Sequence, residues 1–148
     1  MFKHVLIPTD GSRLSMKAVE SGVAFAKSLG AKVTVVTVIE PSGVVGTDSR
    51  RVAATRKAYE EHVRENAERE LKDAERTARK KGVPCTTILQ EDDKPYQAII
   101  DTATRKRCDV IAMGSHGRSG VAAVVLGSVT SKVLAYSRIP VLVYRFGK

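Results

Sequence analysis

Two kinds of hydrophobic spacing alternate along this chain. Short continuous apolar runs are followed by longer stretches whose apolar positions recur every three or four residues. The first run, Lys3 to Pro8, predicts a buried strand. After the turn Thr9-Asp10-Gly11-Ser12, helical spacing is kept by Ser15, Val19, Gly22, Val23, Ala26 and Gly30. That predicts a helix capped by Ser12, running to about Leu29 and stopped by Gly30. Lys32 to Ile39 is β-branched and unbroken, the clearest strand pattern in the chain. Glu40 to Ser49 predicts a loop. A long helix from about Arg50 to Lys81 carries one narrow stripe: Tyr59, Val63, Ala67, Leu71, Ala74 and Ala78. Charged residues fill its other faces, so it is expected to lie on a sheet, with Gly82 as its cap.

Val83 to Gln90 predicts a third strand, and Pro84 near its start suits a sheet edge. Pro95 fits the first position of a helix to about Arg107 that turns Ala98, Ile99, Thr102 and Ala103 inward. Asp109 to Met113 predicts a fourth strand. Ser128 to about Ser137 predicts a fourth helix carrying Val129, Val133 and Leu134, and Val141 to Tyr144 a fifth strand. Strict alternation of strands and helices argues an α/β class with a parallel sheet covered on both faces. Right-handed crossovers leave a few doubly wound forms. In such folds ligands bind beyond the carboxyl ends of strands, at the switch point. Asp10 lies just past the first strand and Gly114 just past the fourth, so neighbouring strands would put both on one crevice.

The segment between the fourth strand and fourth helix carries the candidate chemistry. Gly114, Gly117 and Gly127, with Ser128 directly after, give the spacing G-x2-G-x9-G-S. Glycines at a strand end permit positive φ and close approach to a ligand. A hydroxyl after the last glycine can cap the next helix, whose free N–H groups and dipole favour an anion. His116, Arg118 and Ser119 lie between. In outline this is a phosphate cradle, though neither a Walker loop nor a dinucleotide fingerprint. The same glycines also suit a plain turn, and Ser128 a plain helix cap.

Composition narrows the class. At 148 residues and 43% hydrophobic, the chain is expected to be one domain, residues 1–148. It has no apolar span of transmembrane length and no secretory signal pattern. Cys85 and Cys108 lack metal-ligand spacing and predict free thiols in the cytoplasm. The net charge is +9 with no Trp and few Phe or Tyr. Because the charge is spread, with much of it on the long helix, it reads as a solvated basic surface rather than a dedicated DNA or RNA site.

The assembled pattern resembles the universal stress protein family over essentially the full length. The matching residues are Val5-Leu6-Ile7-Pro8-Thr9-Asp10-Gly11-Ser12, Val36-Thr37-Val38-Ile39, Gly114-Ser115-His116-Gly117-Arg118-Ser119-Gly120, Leu126-Gly127-Ser128-Val129 and Ile139-Pro140-Val141-Leu142-Val143. With its glycine motif the chain looks like the ATP-binding branch. The resemblance implies a five-stranded sheet in the order 3-2-1-4-5, of the adenine nucleotide alpha hydrolase-like kind. It also implies a homodimer paired through the last strand, around Val141 and Val143. ATP would lie between strands one and four. Pro8, Thr9 and Asp10 would face adenine and ribose, with Asp10 accepting from ribose hydroxyls. Val38 would meet adenine through its main chain, and Met113 and Gly114 would approach the ribose. Gly117, Gly127, Ser128, Val129 and Thr130 would hold phosphates through backbone N–H groups and hydroxyls. Mg²⁺ would share the phosphate charge. Arg118 would pair with a phosphate or point to water, and His116 would shape the loop.

The implied function is a dimeric stress-response regulator or sensor, with at most slow ATP hydrolysis or autophosphorylation, since no catalytic set is visible. The alternatives are a small adenine-nucleotide-using enzyme, for which the short chain leaves little room, and a basic nucleic-acid-associated protein.

Overall fold

The computed structural model describes residues 1–41, 49–116 and 126–146, without the side chains of residues 49–53. Strands and helices alternate: β1 (His4–Pro8), α1 (Arg13–Leu29), β2 (Lys32–Ile39), α2 (Ser49–Lys80), β3 (Cys85–Glu91), α3 (Pro95–Arg105), β4 (Val110–Gly114), α4 (Ser128–Tyr136) and β5 (Val141–Tyr144). The strands form one parallel five-stranded sheet in the order β3-β2-β1-β4-β5. As expected from Pro84, β3 is an edge strand.

Alternation along each strand sorts the core into two layers. Val5, Ile7, Val33, Val35, Val110 and Ala112 face α1 and α2, meeting Val19, Val23, Leu71 and Ala74. Leu6, Val36, Ile111 and Met113 face the other way, against Ile99 and Ala103 of α3 and Val133 of α4. Both faces of β1 are covered, and Val5, Leu6 and Ile7 are completely buried. Gly22 lets α1 come close to the sheet: a Cβ there would stand 2.6 Å from Ile7 Cδ1. The inward set expected on α3, Ala98, Ile99, Thr102 and Ala103, is the buried set.

The stripe on α2 is buried only in part. Ala67, Leu71, Ala74 and Ala78 are in the core, whereas Tyr59 is 56% exposed. The cause is length. A helix of 32 residues is about 48 Å long, and the strands it crosses have at most eight residues, about 26 Å. Its first half therefore projects beyond the core. Leu134 is likewise exposed on α4, while Val133 is buried. Val83 is buried but precedes β3, whose pairing starts at Cys85 opposite Val33. No helix among the described residues is long and apolar enough to cross a membrane.

β1 feeds through α1 to β2 on one side, while β3 returns through α3 to β4 on the other. The connections part between β1 and β4, and their carboxyl ends open into one crevice.

Candidate functional site

The crevice is built from two turns that end in helices. At the end of β1, residues 9–12 satisfy their own polar groups. Asp10 Oδ1 accepts from the Ser12 N–H at 2.9 Å, and Thr9 Oγ1 accepts from the Gly11 N–H at 3.2 Å. Ser12 caps α1 by accepting from the Ser15 N–H at 3.2 Å, and the Ser15 and Thr9 hydroxyls lie 3.0 Å apart. Gly11 sits at φ +78°, and a Cβ on it would fall on the Glu70 carboxylate of α2. The long helix is thus clamped over this turn.

The end of β4 is arranged differently. The Thr130 hydroxyl donates to the Gly114 carbonyl at 2.8 Å, and the Gly127 N–H donates to Ser115 at 2.7 Å. These bonds hold the start of α4 against the strand end. The N-cap is Gly127, at φ −67° and ψ 160°, with no side-chain cap bond. The Ser131 N–H closes the first turn on the Gly127 carbonyl. The N–H groups of Ser128, Val129 and Thr130 therefore have no partner within the helix.

Three expectations need correction here. Ser128 does not cap α4; it is the first helical residue, because Gly127 takes the extended cap conformation. Among the described residues, the glycines with positive φ are Gly11, Gly30 and Gly82, so Gly114 and Gly127 serve no left-handed turn. What Gly127 contributes is a cap position without a competing side chain. The Thr130 hydroxyl is the third: its proton is committed to Gly114, which leaves the backbone N–H for any ligand.

A third wall comes from β2. The Thr9 N–H donates to the Val36 carbonyl, and the β1 pairing stops at Pro8 opposite Val36. Main-chain groups of alternate strand residues point the same way. Val38 therefore turns its N–H and C=O past the end of β1 into the crevice. Thr37 is 4% exposed beneath α2, and its hydroxyl has no hydrogen-bond partner.

These walls enclose a cleft of about 730 Å³, within the size range of small-molecule sites. Pro8, Thr9, Asp10, Val38, Met113, Gly114, His116, Gly127, Ser128, Val129 and Thr130 all line it. Gly117 and Arg118 lie outside the described residues, as does most of the apolar run that follows them. His116 Nδ1 is 3.1 Å from the Ser115 hydroxyl, a contact within the loop.

Thr37 and one face of α2 also line the cleft, and the sequence reading missed both. Tyr59, Val63 and Ala67 belong to the apolar stripe, where the signal lay, and Asn66 and Glu70 flank it at helical spacing. Its lower half packs on the sheet and its upper half walls the cleft. Among the described residues, no three of His, Cys, Asp or Glu are grouped as a metal site. Neither cysteine lines the cleft, and burial pushes both thiols up to about 11, so they stay protonated near neutrality.

With the site in place, the chain can be set beside known proteins. Residues 1–145 match the profile described as "Universal stress protein family". Universal stress protein MJ0531 of Methanocaldococcus jannaschii is 31% identical over 145 residues, 98% of this chain and 83% of its own length. Universal stress protein YxiE of Bacillus subtilis is 31% identical over 149 residues, 98% of this chain and all of its own. The solved structure of MJ0577, also of M. jannaschii, superposes with a TM-score of 0.83 at 26% identity, covering 100% of this chain and 99% of that one. Two structures share the fold at lower identity: a universal stress protein in complex with cAMP (TM-score 0.69, 23%, covering 97% of each chain) and one from Archaeoglobus fulgidus in complex with dAMP (0.63, 22%, 97% of each).

Proposed function

Because the chain belongs to the universal stress protein family, we propose that its cleft binds ATP with Mg²⁺ and that binding serves a dimeric regulator or sensor of the stress response. The open N-terminus of α4 carries this reading. Three backbone N–H groups without helical partners, at the positive end of a helix dipole, are suited to phosphate oxygens. They line the same cleft as Val38, whose N–H and C=O offer one donor and one acceptor to a base edge. Asp10 stands between them at the end of β1, where its carboxylate can accept from ribose hydroxyls. The cAMP and dAMP complexes of fold relatives support an adenine nucleotide as the ligand class.

The carboxylates lining the cleft are Asp10, Glu40 and Glu70. Asp10 already accepts from Ser12, and the three do not form a metal-binding group. A divalent ion fits here as a partner of the phosphates, where it lowers their mutual repulsion. Hydrolysis or self-phosphorylation is at most slow on this reading. The edge strand β5, with Val141 and Val143 half-buried, is the expected dimer seam. The two unpaired, protonated cysteines fit a cytoplasmic protein.

The test is calorimetric titration of nucleotide-free protein with Mg-ATP and Mg-AMP, after any copurified ligand has been released and identified. Saturable binding of both, with ATP tighter by about tenfold or more, is the expected result. Equal affinity would remove α4 from the phosphate site, and binding of neither would leave the family fold without this function.

A further inference from the structure

The positive charge looks scattered along the sequence, but the fold gathers much of it at one end. In a parallel sheet every strand starts from the same side. Lys3 precedes β1 and Lys32 opens β2. Lys80 and Lys81 precede β3, Arg105, Lys106 and Arg107 precede β4, and Arg138 precedes β5. All are exposed. Each strand thus begins beside at least one cation, and the row runs the full width of the sheet. Strand spacing makes that width about 20 Å. This end lies opposite the nucleotide cleft.

Contacts within the rim show that these loops adjoin. Lys27 Nζ donates to the Lys81 carbonyl at 2.7 Å, and the Lys32 N–H donates to the Lys3 carbonyl at 3.1 Å. Lys32 stands opposite His4 in the pairing of β2 with β1. Acidic relief is small. Asp109 accepts from the Lys3 and His4 N–H groups, and Glu75 pairs with Arg79.

Helix dipoles explain part of this charge, since cations favour helix C-termini. They account for Lys27, Lys80 and Arg105, which lie in last turns. Lys3, Lys32, Lys81, Lys106, Arg107 and Arg138 lie outside the helices. Arg107 is the informative case. The ends of α1 and α2 turn through Gly30 at φ 66° and Gly82 at φ 70°. The end of α3 makes the same turn through Arg107 at φ 57°. A side chain in that region costs roughly 1–2 kcal/mol. A third glycine would avoid the cost but remove a charge from the row at β4.

From this row we propose that the amino end of the sheet docks the phosphate backbone of double-stranded nucleic acid, without regard to sequence. A duplex carries a charge about every 1.7 Å of its axis, so a row of about 20 Å lies along a length with roughly a dozen phosphates, of which the near side can be contacted. Single strands fit less well, because they are held by stacking on aromatic rings. Phe2 and Phe25 are packed on one another against the core, and Tyr136, two residues before Arg138, has its ring against Tyr96.

The experiment is fluorescence anisotropy of a labelled mixed-sequence 20-base-pair DNA with the full chain, from about 50 to 200 mM KCl. Neutralising about four phosphates predicts an affinity loss on the order of 100-fold over that range. The K81E/K106E/R138E variant is expected to bind at least about tenfold more weakly at 50 mM, with a shallower salt slope. A K57E/R69E/K72E variant on α2 changes net charge equally and is expected to stay within about threefold of wild type. Thermal melts confirm that both variants fold. No binding by wild type, equal losses in the two variants, or tighter association with phosphatidylserine vesicles than with DNA at matched phosphate would each overturn the proposal.

Discussion

The helices that follow β1 and β4 start at the cleft from adjacent strands, yet only α1 has a side-chain cap. At the start of α1 the loop caps itself, with Ser12, Asp10 and Thr9 each accepting from a nearby backbone N–H. At the start of α4 the cap residue is Gly127, which has nothing to offer. Helix ends need partners for their orphan groups, and side-chain caps contribute about 1 kcal/mol. In the proposed site, phosphate oxygens would take the place of the cap that α4 lacks.

The strongest way to break this comparison is to give α4 the cap it lacks. In Gly127→Asp a carboxylate would sit on the three open amides. The helix should gain a few tenths of a kcal/mol from the cap and its dipole. Mg-ATP affinity should fall by about 100-fold, because a fixed negative charge would occupy the phosphate position. Calorimetry and a thermal melt read the two effects separately. A variant that gains stability and still binds ATP as wild type does would show that α4 is not the phosphate end.

The reverse change belongs at α1. Ser12→Ala removes the acceptor of the Ser15 N–H and should cost about 1 kcal/mol in urea unfolding. Its effect on Mg-ATP affinity should stay within about threefold, since that amide is already used inside the turn. A large loss of affinity with little loss of stability would mean that the α1 turn, too, opens to the ligand.

How much of this was legible in the sequence follows the same line. Elements with strong local patterns could be read almost to the residue. β2 follows its β-branched run, β5 spans the predicted Val141 to Tyr144 after Pro140, and α1 is bounded by a Ser cap and a Gly stop. Most of the glycine-motif residues could be placed on one crevice, because strand ends in a doubly wound sheet converge there. What could not be read depends on long-range packing. Whether Ser128 or Gly127 caps α4 turns on one backbone conformation that either residue allows. That the upper stripe of α2 walls the cleft depends on how far the helix overshoots the sheet, which spacing along α2 does not reveal. The basic rim was hidden for the same reason: its members are far apart in sequence and meet only because the strands are parallel.

The contrast between closed and open polar groups recurs in β2, in two buried threonines. Thr34 Oγ1 lies 2.7 Å from His4 Nε2 and 3.0 Å from Thr86 Oγ1, while the Thr37 hydroxyl at the cleft has no partner. Thr34→Val should therefore cost about 1 kcal/mol, because it strands a buried ring nitrogen. Burial and the nearby Lys32 hold the His4 pKa below 6.5, so the folded protein resists the proton that the unfolded chain accepts. Wild-type stability should accordingly decline as pH falls below 6.5, which urea melts across that range would detect. Thr37→Val is the smallest and most diagnostic change. It removes an unsatisfied buried hydroxyl at nearly constant shape and should raise ligand-free stability by about 0.5 kcal/mol. If that hydroxyl is held for the nucleotide, the same variant should lose a few-fold in Mg-ATP affinity, and Thr37→Ser should restore it. A stabilised variant with unchanged affinity would make Thr37 a packing flaw; a destabilised one would show that its hydroxyl is satisfied without ligand.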